Sequence, residues 1–399
     1  MHVSRRTFLM ASAAPLLAQK KSSGIRPAGI VVILADDLSA WMLGCYGNQE
    51  IRTPAVDLLA RSGTRFLHHC VCTPASAPSR ATLFTGRVPR QHGILDVTGG
   101  NVALRNETLI QDVLAAAGYN CEEVTTAGGR AAQFLEAQKP GQNFFLVANG
   151  LSPLAPYDGL PQKYYDMYAK SGFVTTGWLP AAANASEGKE YLKDTVGSLR
   201  KCAAAVSALD DQVAALVSVL DKRGLRDGTL LIFTSINGML GGRHGLWGTG
   251  LGSDPINMYA DVVETPMIWN WPGRIPTEGA RPELVSSYDF FPSILEVAGL
   301  TPPAGGNLCG RSYLSPVMNT PLPRKQPWHN LVYGALRNTE MLRDARFKLV
   351  LRDNGASPGE LYDWRADPLE HVNQYDNAAF ITTRAAMTKQ LRAWREKYV

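Results

Sequence analysis

The chain is poor in features that would place it in a specialised structural class. Charged residues make up only 19% of its 399 residues, and its six cysteines are few for a disulfide scaffold of this length. Cys70 and Cys72 lie too close for an easy bridge within one strand, and no second Cys/His pair follows at metal-binding spacing. The chain has no internal repeat and no low-complexity tract. With 45% hydrophobic residues, it is expected to bury a large core in which most cysteines act as small apolar residues.

Positive charge is in small excess and is concentrated at the N-terminus. The formal net charge is +5, but removal of Arg5 and Arg6 would leave +3, and removal of Lys20 and Lys21 as well would leave +1. Such a balance gives no indication of a nucleic acid partner. The sequence carries no indication of oligomeric state.

The first 24 residues read "MHVSRRTFLMASAAPLLAQKKSSG", with paired arginines before an apolar run from Phe8 to Ala18. That run is too short to span a bilayer, and the segment resembles a twin-arginine export signal. No other stretch approaches about 18 consecutive apolar residues, which a span would need. We therefore expect a periplasmic or extracellular protein with no stable membrane span after cleavage; without cleavage, the run could tether the chain.

Short apolar runs alternate with helical periodicity along most of the chain. Strands are predicted at Ile30 to Ala35, Phe144 to Val147 and Leu230 to Thr234, and apolar residues spaced by threes and fours predict a long covering helix from Leu192 to Leu220. This α/β pattern predicts a mostly parallel sheet sandwiched by helices over residues 25–315. A proline-rich linker and two strand-like pieces then predict a small C-terminal α+β subdomain over residues 316–399.

Two adjacent carboxylates, Asp36 and Asp37, close the first predicted strand. The carboxyl edge of a parallel sheet is where α/β proteins place ligands, and hard divalent cations prefer oxygen donors. Taken alone, such a pair is more often a solvated turn than a metal site.

Several longer stretches carry a specific resemblance. They are "ILADDLSAWMLGCYGN", "SAPSRATLFTGRVPRQHGI", "TLLIFTSINGMLGGRHGLWGTG", "SSYDFFPSILEVAGL" and "ELYDWRADPLEHVNQ". In order and spacing they resemble the sulfatase family of the alkaline-phosphatase-like superfamily, from about Ile30 to Gln374. The resemblance implies that superfamily's fold, hydrolysis of sulfuric esters of carbohydrates or aryl alcohols, a bound calcium ion, and a Cys or Ser converted to formylglycine.

The nucleophile motif of that family begins twice in "CTPASAPSRATLFTGR". In the register of Cys72, the position that requires arginine holds Ser76. In the register of Ser76, the motif continues correctly through Pro78, Ser79 and Arg80 and into "LFTG". The resemblance therefore implies that Ser76 occupies the nucleophile position, that Arg80 braces it, and that Cys72 is a core thiol. The structural alternative for Ser76 is a helix N-cap.

The same resemblance gives three metal-ligand positions to Asp36, Asp37 and Asn237. The fourth position, an aspartate in the family, holds Ile236, which supplies neither charge nor oxygen. Losing a charged ligand worth roughly 3 kcal/mol would lower calcium affinity at least about 100-fold. We therefore expect calcium to bind weakly.

Five of ten expected pocket positions are changed to groups without the charge, coordination or proton-transfer capacity of the family's residues. They are Thr126 and Thr249 in place of lysines, Gly128 and Leu154 in place of histidines, and Ile236. Lys139 is the nearest residue that could fill a gap if the alignment slips. His244, in a glycine-rich loop, is a candidate general acid, although such a histidine more often orients backbone.

Three functional hypotheses follow. The first is an active sulfatase with a Ser76-derived nucleophile. Its partner would be a sulfated small molecule or glycan, and the substitutions imply that its activity is weak or lost. The second, which the substitutions favour, is a degenerate homologue that binds an anionic or carbohydrate ligand, or a partner protein, without turnover. The third is a metal-dependent phosphoesterase in which Ser76 attacks directly.

Overall fold

The computed structural model describes residues 26–97, 104–125, 129–151, 153–322 and 327–399, and these form two β-sheets with helices. The twin-arginine segment at residues 1–24 lies outside the described residues. The strands of the larger sheet are β1 (Gly29–Ala35), β2 (Thr64–Cys70), β3 (Asn120–Thr125), β4 (Phe144–Leu151), β5 (Thr229–Ser235), β6 (Glu264–Thr265), β7 (Met267–Asn270) and β8 (Gly279–Ser286). The smaller sheet consists of β9 (Leu331–Leu336), β10 (Thr339–Asp344), β11 (Phe347–Arg352) and β12 (Ser357–Asp363).

The helices between and after these strands vary from one turn to 28 residues. The α-helices are α1 (Pro54–Arg61), α2 (Ser76–Thr85), α3 (Pro89–His92), α4 (Ile110–Ala116), α5 (Arg130–Glu136), α6 (Gln162–Asp166), α7 (Lys189–Leu192), α8 (Thr195–Lys222), α9 (Ala260–Val263), α10 (Phe290–Val297), α11 (Leu314–Met318) and α12 (Ile381–Tyr398). Short 3-10 turns lie at Ala40–Met42, Gly44–Tyr46, Leu104–Asn106, Arg226–Gly228, Arg243–Gly245, Gly250–Gly252, Ser287–Asp289, Asp353–Gly355 and Ala378–Phe380.

The larger sheet is mostly parallel and runs β3-β4-β1-β5-β7-β2-β6, with β8 also paired to β2. Strands β3, β4, β1 and β5 are parallel neighbours, whereas β7 is antiparallel to both β5 and β2. Ala35 of β1 stands opposite Ser235 of β5. The residues that follow these two therefore leave the same edge of the sheet side by side. The predicted fold class is confirmed.

The apolar side chains of β1 divide between two core clusters because successive residues of a strand point to opposite faces. Val31 and Ile33 join a cluster that includes most of the buried face of α8. Ile30 and Val32 join a second cluster with residues of α2 and α10. The two clusters are the core layers above and below the sheet.

Helix α8 is the predicted covering helix, and it begins three residues later than predicted. Its N-cap is Asp194, whose carboxylate accepts a hydrogen bond from the amide of Gly197 at 2.9 Å. Among the described residues, α8 is the one helix long and apolar enough to cross a bilayer by length and composition, and most of its apolar window is buried inside the protein. Burial of this kind is typical of a core helix.

The smaller sheet is antiparallel, in the order β12-β11-β10-β9, and packs against α12 around a third core cluster. Cys72 is fully buried in that cluster. The amide of Cys72 donates to Ser287 Oγ at 3.0 Å, and its carbonyl accepts from the amide of Ala335 in β9 at 2.7 Å. Through Cys72 the smaller sheet thus bonds directly to the segment that leads into Ser76.

The predicted domain boundary between residues 315 and 316 falls inside helix α11, and the boundary stays a prediction.

Among the cysteines, Cys70, Cys72 and Cys202 are buried and the other three are partly buried, and all six are free thiols. Burial raises the pKa of the Cys72 thiol well above its ordinary value, so Cys72 is held as an inert core thiol.

Candidate active site

The predicted nucleophile and metal positions converge at the carboxyl edge of the larger sheet. Asp36 and Asp37 follow β1, and Asn237 follows the neighbouring strand β5. Asp37 has a left-handed backbone conformation, with φ of 53°. Ser76 is the first residue of α2, and the helix N-cap is Ala75. The capping alternative for Ser76 therefore does not describe its place in this helix.

The Ser76 hydroxyl is held between two oxygen atoms from adjacent strands. Its Oγ lies 2.8 Å from Asp36 Oδ1 and 3.1 Å from Asn237 Oδ1, and it can donate its single proton to either one. The amide nitrogen of Asn237 donates to Asp37 Oδ1 at 2.5 Å. A continuous polar chain therefore links the nucleophile position to all three predicted metal ligands.

Burial raises the pKa of both carboxyl groups at this edge. It raises the pKa of Asp37 to about 7, and the negative charges of Asp36 and then Glu187 act in the same direction, while the hydrogen bond from Asn237 opposes them. Burial also raises the pKa of Asp36, against the lowering effects of its bond with Ser76 and the charge of Arg80. Two desolvated carboxylates side by side are electrostatically suited to a cation.

Arg80 lies one helical turn after Ser76 and forms an ion pair with Glu123 of β3. The same carboxylate oxygen, Glu123 Oε1, accepts a hydrogen bond from Asn149 Nδ2 at 2.7 Å. The guanidinium also stands over the ring of Phe84, 5.1 Å from its centroid. Burial lowers the pKa of Arg80, and the charge of Asp36 opposes that shift. Neither Glu123 nor Asn149 was identified from the sequence; the available signal was a carboxylate near the carboxyl end of a parallel strand.

Ile236, at the position where the resemblance implies a fourth metal ligand, lies on the same face of the sheet as Asp36. Its side chain is only 5% exposed and belongs to the core cluster that contains Ile30, Val32 and Leu34, the β1 residues whose alternation Asp36 continues. The backbone carbonyl of Ile236 accepts a hydrogen bond from Ser79 Oγ. Ile236 is therefore packed against α2, and its side chain offers no oxygen donor.

The donor set fits a calcium ion poorly. Asp36, Asp37 and Asn237 supply at most five oxygens, and the nitrogen of the Asn237 amide, not its oxygen, faces Asp37. Calcium takes about 6–8 oxygen ligands. Within the described ranges, no group of three or more His, Cys, Asp or Glu residues is placed to hold a metal ion. Weak calcium binding stays a prediction.

His244 lies in a different set of contacts from Ser76. Its Nε2 is 3.4 Å from Asp261 Oδ2, and its ring stacks on Tyr259 with centroids 3.7 Å apart. Together with Glu370 and His371, it lines a cavity of about 390 Å³. These contacts explain how His244 orders its loop, and its role as general acid stays a prediction.

Comparison with known proteins assigns the chain to a family. A family model described as "Sulfatase" matches residues 29–128 and 123–300, and a model described as "N-sulphoglucosamine sulphohydrolase, C-terminal" matches residues 253–397. The chain belongs to the sulfatase family.

Its similarity to individual sulfatases is distant but extends over most of the chain. It is 24% identical over 445 residues to an ulvan-active sulfatase of Formosa agariphila, covering 95% of this chain and 82% of that protein. It is 29% identical over 357 residues to arylsulfatase A of Homo sapiens, covering 74% and 67%. A solved structure in complex with its substrate D-glucosamine-2-N,6-O-disulfate superimposes with a TM-score of 0.78 at 19% identity, covering 94% of this chain and 98% of that one. The structural match shows a shared fold.

The substituted sulfatase positions can be located in part. Leu154 is 48% exposed. Thr249 Oγ1 accepts a hydrogen bond from the amide of Leu251 at 3.3 Å, and the amide of Gly250 donates to the carbonyl of Pro74, two residues before Ser76. Thr126 and Gly128 lie outside the described residues. The "Trp-Gly-Thr-Gly" segment of this sulfatase-family chain therefore borders the loop before Ser76, and Thr249 stands where the resemblance implies a lysine.

Lys139 does not fill any of these gaps. It precedes β4, whose first residue Phe144 pairs with Gly29 at the start of β1. Asp36 leaves the other end of β1, seven residues away at about 3.3 Å per residue, so roughly 20 Å separates the two edges. The suggestion that Lys139 could supply the missing cation is therefore wrong.

Proposed function

We propose that this chain binds a sulfated carbohydrate at the site formed by Ser76, Asp36, Asn237 and Arg80, and hydrolyses its sulfate ester weakly. The observation that carries the proposal is the placement of Ser76 Oγ, 2.8 Å from Asp36 Oδ1 and 3.1 Å from Asn237 Oδ1, with Arg80 one turn away. Membership of the sulfatase family supports the reaction class. The names of an ulvan-active relative and of a structure bound to a glucosamine disulfate support a sulfated carbohydrate as ligand.

In the proposed reaction, the Ser76 oxygen attacks the sulfur and passes its proton to Asp36 Oδ1. The raised pKa of Asp36 makes it a stronger base than an ordinary carboxylate. The bond between sulfur and the sugar oxygen breaks, and that oxygen takes a proton from water. Gly128 and Leu154 stand where the resemblance implies histidines, and His244 contacts Asp261 and Tyr259, so we assign the leaving-group proton to water and not to His244. The hydroxide formed from that water then attacks the sulfur, the bond between sulfur and the Ser76 oxygen breaks to release hydrogen sulfate, and Asp36 returns its proton to the Ser76 oxygen.

Formylglycine at Ser76, if a maturation enzyme forms it, would supply two hydroxyl groups on one carbon, so that one can expel the sulfate as the other becomes a carbonyl. Unmodified Ser76 has no second hydroxyl group that could expel the sulfate. Its sulfate ester must wait for attack by water, which makes the second step slow.

Weak turnover is expected from the charges that face the pocket. Asp36, Asp37 and Glu123 contribute three carboxylates, and Arg80 is already paired with Glu123. If each lost charged contact is worth about 2 kcal/mol in the transition state, three such losses lower the rate by about 10⁴. Ground-state binding through the sugar hydroxyls is less affected, because it does not need the missing charges.

The test is hydrolysis of an aryl sulfate and of a sulfated oligosaccharide by the wild type and by Ser76→Ala. We expect slow turnover that falls at least 100-fold in Ser76→Ala and is unchanged in Ser62→Ala, a matched serine at the end of α1. The mass of the Ser76 peptide shows whether two hydrogens have been lost to formylglycine.

Two results would contradict the proposal. Binding of the sulfated sugar without Ser76-dependent turnover would indicate an inactive binding homologue. Faster Ser76-dependent hydrolysis of aryl phosphate than of aryl sulfate would indicate a phosphoesterase.

The proposal includes export to the periplasm or beyond. It rests on the paired arginines and apolar run of residues 1–24. The N-terminus of the protein recovered from the extracytoplasmic fraction of an expressing bacterium tests it, since unprocessed protein confined to the cytoplasm would refute export.

A further inference from the structure

Arg80 already holds a carboxylate of this chain. We propose that Glu123 competes with the sulfate group of the ligand for the Arg80 guanidinium and thereby sets the affinity of the pocket for sulfate. This inference rests on the proposed function, because it assumes that sulfate enters beside Ser76. It assigns to Glu123 the role of a specificity-determining residue.

The positions of the two side chains support direct competition. Residues four apart on a helix share a face, so Arg80 points from α2 on the same side as Ser76. Glu123 approaches from β3, two strands away from β1, and closes an ion pair with that guanidinium. An arginine fork binds carboxylate and sulfate oxygens through the same N–H groups. Glu123 occupies Arg80 Nη2, so a sulfate that binds this edge of the guanidinium must displace the carboxylate.

Glu123 is fixed in this arrangement by a second donor. Asn149 lies on the neighbouring strand β4, opposite Thr125 of β3, and its Nδ2 donates to Glu123 Oε1 at 2.7 Å. The carboxylate is thus held by Arg80 from the helix and by Asn149 from the sheet. Displacing it breaks two hydrogen bonds, and the released carboxylate adds negative charge next to the incoming anion.

The experiment measures binding of inorganic sulfate to the full chain by calorimetry, which does not depend on turnover. We expect Glu123→Gln to bind sulfate about tenfold more tightly than the wild type, since one competing charge-assisted bond is removed. Glu122→Gln is the matched control. Glu122 precedes Glu123 on β3, loses the same charge and faces the opposite side of the strand, so its sulfate affinity should equal that of the wild type.

A second variant, Asn149→Ala, tests the inference even if Glu123→Gln does not fold. Asn149→Ala keeps the charge of Glu123 and removes its second donor, so we expect a smaller gain in sulfate affinity, about threefold. If hydrolysis is measurable, Glu123→Gln should lower KM more than it changes kcat. A purely structural role for Glu123 would produce neither a gain of affinity nor that split.

Unchanged or weaker sulfate binding in folded Glu123→Gln would overturn the inference, as would an equal gain in Glu122→Gln. The proposed function is judged separately, by the dependence of ester hydrolysis on Ser76. Ser76-dependent turnover with no effect of Glu123→Gln on sulfate affinity would reject the inference and retain the function. A tenfold gain in sulfate affinity with no Ser76-dependent turnover would do the reverse.

Discussion

Replacing Ile236 by aspartate tests the reasoning about the metal site most directly. Ile236 is 5% exposed and lies on the face of the sheet that carries Asp36. Without metal, Ile236→Asp loses about 2 kcal/mol of apolar burial and adds a third carboxylate beside two that are already desolvated. We therefore expect the variant in EDTA to melt several degrees below the wild type.

Calcium should reverse that loss in the variant and have little effect on the wild type. A restored charged ligand worth roughly 3 kcal/mol corresponds to at least a 100-fold gain in calcium affinity. At a calcium concentration 100 times the Kd of the variant, binding adds about 2.7 kcal/mol to the free energy of unfolding. The same concentration lies near or below the Kd of the wild type and should stabilise it by less than about 0.5 kcal/mol.

The assay is thermal unfolding over a calcium titration, with calorimetric binding as the second measurement. Ile236→Asn is the matched control, because it adds an oxygen of similar placement without the charge, and its gain should be much smaller. Two outcomes would refute the reasoning. One is tight calcium binding by the wild type, and the other is a folded Ile236→Asp protein whose melting temperature does not respond to calcium.

Two further predictions concern stability. Burial lowers the pKa of His92 to about 4 from an ordinary 6.5, so the unfolded chain takes up this proton first as the pH falls, and up to about 3 kcal/mol of stability is lost between pH 6.5 and 4. In His92→Gln, the melting temperature should depend less on pH between pH 6.5 and 4. An unchanged pH dependence would show that the lost stability does not come from His92. Lys348 and Glu370 form a fully buried ion pair. Lys348→Met removes the paired ammonium group and leaves the Glu370 carboxylate buried, so it should lower the free energy of urea unfolding by about 3–5 kcal/mol. The double variant Lys348→Met/Glu370→Leu should lose less, and an equal loss would show that the pair is not what the first substitution damages.

The local parts of the fold could be predicted because they depend on neighbouring residues. Periodicity placed the cores of β1, β4, β5 and α8, since each buries a regular face. The assignment of Ser76 to the nucleophile position rests on the family motif that runs through Arg80, and it stays a prediction. Boundaries were less accurate, as in the covering helix, which begins at Thr195 and not at Leu192.

The contacts between distant segments could not be predicted in this way. Glu123 and Arg80 belong to different elements, and only the assembled sheet shows that β3 brings the carboxylate to the guanidinium. Lys139 is close in sequence to the altered region, yet strand polarity places it at the other edge of the sheet. Closeness in sequence therefore does not indicate closeness in space when a strand separates two residues.

The bonds of Cys72 carry a consequence for how the protein is made. The backbone of Cys72, four residues before Ser76, pairs with Ser287 and with Ala335 of the second sheet. Ala335 leaves the ribosome long after Ser76, so the loop that holds the nucleophile cannot reach its final form until most of the chain has been synthesised. Any enzyme that must modify Ser76 in an extended segment has that interval in which to act. A chain that ends before β9 would leave the segment before Ser76 without its hydrogen bond to the second sheet, even though Ser76, Asp36, Asp37 and Asn237 would all be present.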